Sequence, residues 1–131
     1  MDFSALTILI VDDEQFAQMI LSKVLQGLGV SVERILIADT GMAALEQLES
    51  HPGTIDLVIS DIEMPEMTGF ELARKIRYGI VERYRKIPFL MLTGQDTEDN
   101  ARKGRIHKID GFIVKPPKPD DLRLRIQTAL S

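Results

Sequence analysis

The chain has 131 residues, of which 44% are hydrophobic, 27% charged and 5% aromatic, and it contains neither cysteine nor tryptophan. That length fits one domain able to bury a core without staples. The missing cysteines exclude a disulfide framework, a thiolate metal centre and a cysteine nucleophile, and the net charge of −4 hides a split: residues 1–100 hold eight Lys/Arg against seventeen Asp/Glu, residues 101–131 eight against three.

The first apolar run, Thr7–Val11, predicts a strand and stops at acids too early for a membrane span or a leader, so no membrane association and a soluble intracellular protein are expected. Phe16, Met19, Ile20, Val24 and Leu28 then form a helical stripe ended by Gly27 and Gly29. Arg34–Ala38 reads as the second strand. Thr40 is a fitting N-cap for a helix carrying Ala44, Leu45 and Leu48 and stopped by His51-Pro52-Gly53. Leu57–Ser60 is the third strand, followed by a helix marked by Leu72, Ile76 and Gly79. After the fourth strand, Phe89–Leu92, the segment Thr97–Ile109 is polar with little periodicity. It reads as a helix because parallel strands need a crossover between them. Gly111–Val114 is the fifth strand, and Pro119-Asp120 opens a last helix with Leu122, Ile126 and Leu130 on one face. Short runs that are apolar at successive positions suit strands buried on both faces. Five alternations of strand and helix predict one α/β domain over 1–131, a doubly wound parallel sheet with right-handed crossovers.

Ligands of such sheets bind beyond the carboxyl ends of the strands. There stand Asp12, Asp13 and Glu14 after the first run, Asp61 after the third, Thr93 after the fourth and Lys115 after the fifth. Clustered carboxylates repel one another unless a cation or protons compensate. All-oxygen ligands without His or Cys favour Mg2+ or a similar divalent ion. A lysine and a hydroxyl facing the acids suit an arriving phosphoryl group, and a carboxylate beside the metal could attack it to form an acyl phosphate.

The sequence resembles the receiver domain of two-component response regulators over essentially its whole length. The matching pieces run from Ile8 to Glu14, from Asp56 through Asp61, Met64 and Pro65 to Gly69, from Met91 to Gly94, and from Asp110 to Pro116. The resemblance implies a flavodoxin-like (βα)5 fold with strand order 2-1-3-4-5 and a signalling switch rather than an enzyme. It implies that Asp61 takes a phosphoryl group from a histidine kinase or a histidine phosphotransfer protein. Asp13 and Asp61 would ligate Mg2+ directly, Glu63 through its backbone carbonyl, and Asp12 through metal-bound water. Lys115 would contact the phosphoryl oxygen, Thr93 would be the switch hydroxyl and Phe112 the aromatic that turns inward behind it. Glu63 and Gln95 match positions that tune dephosphorylation, and Gly94 leaves room beside Thr93. The Lys115–Pro116 bond matches one that is usually cis. Four positions depart from the common pattern. Phe112 stands where tyrosine is frequent, Lys108 where glycine often occupies a left-handed cap, and Pro117 and Pro119 stiffen the approach to the last helix.

Two other readings fit less well. A metal-dependent aspartyl phosphatase would need a second acid near its nucleophile and a substrate cap, for which the chain has no room. A flavin-binding electron carrier would need a Ser/Thr/Gly-rich loop where Asp12-Asp13-Glu14 stands. No output domain follows, so a stand-alone receiver or a piece of a larger regulator is expected, localised in the cytoplasm. Nucleic-acid binding by these residues is not expected. Much of the basic excess falls on Arg102, Lys103, Arg105, Lys108, Lys118, Arg123 and Arg125. In the family, the fourth helix, fifth strand and fifth helix form the usual output and dimerisation face. A homodimer or a downstream protein partner through that basic face is the expectation.

Overall fold

The computed structural model describes residues 1–131. Five strands, β1 (Ile8–Val11), β2 (Ile35–Ala38), β3 (Leu57–Asp61), β4 (Phe89–Thr93) and β5 (Gly111–Val114), alternate with five helices. These are α1 (Gln15–Gly27), α2 (Gly41–Ser50), α3 (Gly69–Arg77), α4 (Glu98–Ile106) and α5 (Pro119–Ala129). The strands form one parallel sheet in the order β2-β1-β3-β4-β5. This is the doubly wound, flavodoxin-like arrangement expected from the sequence.

Strand side chains alternate between two cores. Leu9, Val11, Val58, Phe89 and Met91 point to one face, where α2 and α3 bring Ala44, Leu48, Leu72 and Ile76. Ile8, Ile10, Leu57, Ile59, Leu90 and Leu92 point to the other, covered by Leu21 and Leu25 of α1 and Leu122 and Ile126 of α5. Burial on both faces is why the central strands β1, β3 and β4 read as continuous apolar runs, whereas the edge strands β2 and β5 are partly exposed. Register then fixes the site. Val11 pairs with Ser60, so the residues after them, Asp12 and Asp61, lie side by side. Thr93 pairs with Val114, which puts Lys115 on the same edge.

The helix boundaries show where local chemistry rules. The Thr40 side chain accepts from the Ala43 N–H and caps α2. Thr68 and Glu71 form a reciprocal capping box on α3. Thr97 caps α4, so that helix starts one residue later than predicted and ends three earlier, at Ile106. Its stop is Lys108, at φ 57°, in the left-handed conformation anticipated there. Gly79 lies beyond the end of α3, not within it, because the helix ends at Arg77 with Tyr78 as its cap. Leu130 follows α5 as its cap and is only half-buried.

The predicted face of α1 is rotated. Phe16 is 67% exposed and Met19 46%, whereas Gln18, Leu21 and Leu25 are buried. A polar Gln18 breaks the apolar reading, yet its amide is satisfied inside: it donates to the Asp12 carbonyl at 2.6 Å and to Asp39 at 2.7 Å. Val24 and Leu28 of the expected stripe do pack at the edge of that core.

Candidate functional site

Asp12 is 1% exposed and Asp61 7%, while Asp13 is open to solvent; one carboxylate oxygen from each lies within 4.8 Å of the others. The turn after β1 holds Asp12 through the Glu14 N–H, which donates to its Oδ1 at 2.9 Å. Its Oδ2 is buried and has no partner. Burial pushes the Asp12 carboxyl above the usual carboxylate range; the Glu14 N–H bond opposes the shift, and the neighbouring Asp61 charge adds to it. An unpartnered buried carboxylate oxygen is costly unless something arrives to compensate it. Three converging carboxylates with no nitrogen or sulfur donor fit a hard divalent cation such as Mg2+.

Asp61 ends β3. Its Oδ1 accepts from the Ile62 N–H at 2.9 Å and from Lys115 Nζ at 2.8 Å. Both bonds fall on one oxygen, leaving Oδ2 without a hydrogen-bond donor. The close approach beneath this turn depends on Gly69, whose N–H donates to the Ile62 carbonyl at 2.8 Å. A Cβ on Gly69 would overlap the Asp61 carbonyl and the Met91 sulfur. Lys115 is brought over by the turn after β5, where the Lys115–Pro116 bond is cis.

Thr93 ends β4 and is buried, but its hydroxyl touches neither Asp61 nor Lys115. It donates to the Gln95 carbonyl at 2.6 Å and accepts from the Gln95 N–H at 3.2 Å and from Asn100 Nδ2 at 3.4 Å. Beside it, Gly94 faces open space. The half-buried Phe112 ring packs 6.4 Å from the Phe70 ring, centroid to centroid, on the α3–α4 side. A Cβ on Gly104 of α4 would come within 2.7 Å of Phe112 Cε1, so this glycine makes the seat for the ring. Glu63 and Gln95 are exposed on the loops after β3 and β4, and the Glu63 carboxylate stands outside the three-acid group.

The structure therefore brings Asp12, Asp13, Asp61 and Lys115 together and holds Thr93 in a neighbouring network. Gln18, Asn100 and Gly104 support these groups and were not singled out in the sequence. Asn100 lies seven residues beyond Thr93, one cap and one helical turn away, which is the signal that could have found it. The basic excess of the last quarter is less bare than the sequence suggests. Arg102 and Lys103 pair with Asp99, Arg123 with Asp120 and Arg125 with Asp121, while Arg105, Lys108 and Lys118 have no ion pair.

An acid pocket faced by a lysine at the carboxyl edge of a β2-β1-β3-β4-β5 sheet defines a phosphoacceptor type of α/β domain. A family model described as the response regulator receiver domain matches residues 8–127. The chain is 34% identical to the chemotaxis protein CheY of Pseudomonas aeruginosa over 120 residues, 92% of each chain. It is 37% identical over 134 aligned residues to the virulence sensor protein BvgS of Bordetella pertussis, covering 97% of this chain but 10% of that one. The solved structure of the Vibrio cholerae chemotaxis protein CheY4 superimposes with a TM-score of 0.83 at 31% identity, covering 95% of this chain and 98% of the other. The chain belongs to the response regulator receiver domain family, whose members are phosphoaccepting signalling switches of two-component systems and not classical enzymes. No helix is long and apolar enough to cross a membrane.

Proposed function

We propose that Asp61 is the phosphoacceptor and that residues 1–131 work as a single receiver domain. The observation that carries this reading is the one-sided hydrogen bonding of Asp61: Ile62 N–H and Lys115 Nζ fix Oδ1, and Oδ2 is left as the free nucleophile. Oδ2 attacks the phosphorus of a phosphohistidine on a histidine kinase or phosphotransfer protein. The P–N bond breaks, the imidazole leaves, and an acyl phosphate forms. Asp13, Asp61 and the Glu63 backbone carbonyl, with Asp12 beside them, would hold Mg2+, which would neutralise charge during the transfer. Lys115 then exchanges its contact with Asp61 for one with a phosphoryl oxygen. Thr93 gives up the Gln95 carbonyl to reach another phosphoryl oxygen. Because Asn100 holds the same hydroxyl, this move changes the start of α4 as well.

Glu63 and Gln95 flank the path of a hydrolytic water and set the rate at which the domain loses its own phosphoryl group. The α4–β5–α5 face carries the output, to a downstream protein or a second copy. It exposes Ile106, Val114 and Leu124 among its charged residues, an apolar strip inside a mixed-charge rim.

The test is beryllofluoride or acetyl phosphate with Mg2+, read by amide chemical shifts. Wild type should shift around Asp61, Thr93, Asn100 and Phe112, and Asp61→Asn should not respond. An equal response from Asp61→Asn removes the reading.

A further inference from the structure

A second concave site lies away from the acid pocket. Helices α2 and α3 begin at the edge that carries Asp61 and run back toward the opposite edge; α2 along most of its length, and the end of α3 with the segment after it, flank a cavity of about 280 Å³. Its floor is Leu48, Ile76 and Tyr84 of the core, and its walls are Met42 and Leu45 on one side and Ile80 and Val81 on the other. Ile80 is 84% exposed and Met42 55%, so two large apolar side chains stand in water at its mouth. The α2 wall, from Met42 to Glu49, is about two helical turns or 10 Å long.

The rim is charged in a way the fold does not use. Glu46 and Glu49 lie on α2 beside the cavity, and neither has an ion pair; Lys75 on the α3 side also has none. Glu49 stands in the last turn of α2, where the helix dipole disfavours negative charge, and that turn holds no basic residue. A cation at this rim would satisfy two carboxylates that the chain itself leaves uncompensated. The trough between two helices has the length, apolar floor and open top that receive the apolar stripe of a third helix.

We propose that the α2–α3 groove is a docking site for a cationic amphipathic helix of a partner protein. Leucine- or isoleucine-sized side chains at i and i+4 would fill the cavity, and Lys or Arg beside them would meet Glu46 and Glu49. The groove shares no residue with the acid pocket, since Asp12, Asp13, Asp61, Thr93 and Lys115 do not line it. The inference does not depend on the phosphoacceptor reading.

The test uses the full 131-residue chain, isotope-labelled, and a synthetic helical peptide of about 18 residues with leucines at i and i+4 flanked by lysines. A second peptide replaces every lysine by glutamate. The cationic peptide should shift the amides of Leu45, Glu49, Gly79 and Val81, and the anionic one should not. Ile80→Glu, and separately Glu46→Lys with Glu49→Lys, should each weaken binding by roughly tenfold or more while leaving the remaining spectrum unchanged. Asp61→Asn should bind like wild type, which separates this result from the phosphoryl site. Three results overturn the proposal: equal shifts from both peptides, shifts confined to α4–β5–α5, or concentration-dependent shifts at α2–α3 without peptide, which would make a second copy the occupant.

Discussion

Asp12 shows how much a single residue can say about a missing counter-charge. It is almost fully buried, one of its oxygens has no partner, and burial beside Asp61 pushes its carboxyl upward. The folded chain therefore holds a repulsion that a divalent cation relieves. Asp12→Asn should keep or raise the melting temperature in chelator, and should lose most of the gain that Mg2+ gives wild type. That gain is about 2.7 kcal/mol at a hundredfold excess of ion over its Kd. Thermal denaturation with and without Mg2+ measures both; a full Mg2+ shift in the variant would remove Asp12 from the metal's surroundings. The acids and the lysine were legible in sequence because they directly follow β-branched runs. The contacts of Thr93 were not, since a hydroxyl has many donors and acceptors within reach and only the folded loop chooses Gln95 and Asn100.

Between elements, the joints are polar although the layers are apolar. The side chain of Arg77, at the end of α3, is 6% exposed and donates to the Ile87 carbonyl at 2.7 Å and the Lys108 carbonyl at 2.8 Å. It also lies 3.6 Å from Asp110, whose carboxylate accepts the Phe89 N–H at 2.8 Å. One guanidinium thus ties α3 to the entry of β4 and the exit of α4. Arg77→Ala orphans those carbonyls and should cost about 2–3 kcal/mol in chemical denaturation; a loss below about 0.5 kcal/mol would show that water replaces the side chain fully. The α3–α4 contact has its own pH dependence. Burial, with Arg74 of α3 and Lys103 of α4 nearby, holds His107 below its ordinary value of 6.5. The unfolded chain then binds a proton more readily than the folded one, so stability is intact above pH 6.5 and falls as pH drops below it. His107→Gln should flatten the melting-temperature profile between pH 7.5 and 5.5, and an unchanged slope would place the titration elsewhere. These joints also mark the limit of reading elements from sequence. The strands were legible to within a residue at each end, because burial on both faces leaves an unbroken apolar run in β1, β3 and β4 and apolar residues fill the edge strands β2 and β5 as well. The inward face of α1 was not, because a buried glutamine occupies a core position. The extent of α4 was set by the Thr97 cap and by the left-handed turn at Lys108 rather than by periodicity.

Across the whole molecule, the charge split resolves into two different things. The acidic excess gathers at Asp12, Asp13 and Asp61, a cluster that fits a divalent cation. The basic excess is spread over a surface and partly cancelled by acids one helical turn away, Asp99, Asp120 and Asp121. Pairs this exposed contribute little to the fold, so their arrangement is nearly free to serve association. If the α4–β5–α5 face joins two copies as proposed, its intrahelical pairs would open and re-pair across a symmetric interface, arginines meeting the partner copy's aspartates, with Ile106, Val114 and Leu124 as the apolar contact. Reversing Arg102, Arg105 and Arg123 to glutamate leaves those aspartates facing like charge. The triple variant should fold with a melting temperature within a few degrees of wild type, yet show roughly tenfold or more weaker self-association after beryllofluoride treatment with Mg2+. Added salt should weaken the wild-type association, since the pairs at the rim are screened over about 10 Å at 0.1 M, and should leave the variant's residual association unchanged or improve it. Thermal denaturation reads the first outcome, and sedimentation velocity at two ionic strengths reads the association. Wild-type and variant chains that associate equally at both would show that the basic face has no part in assembly.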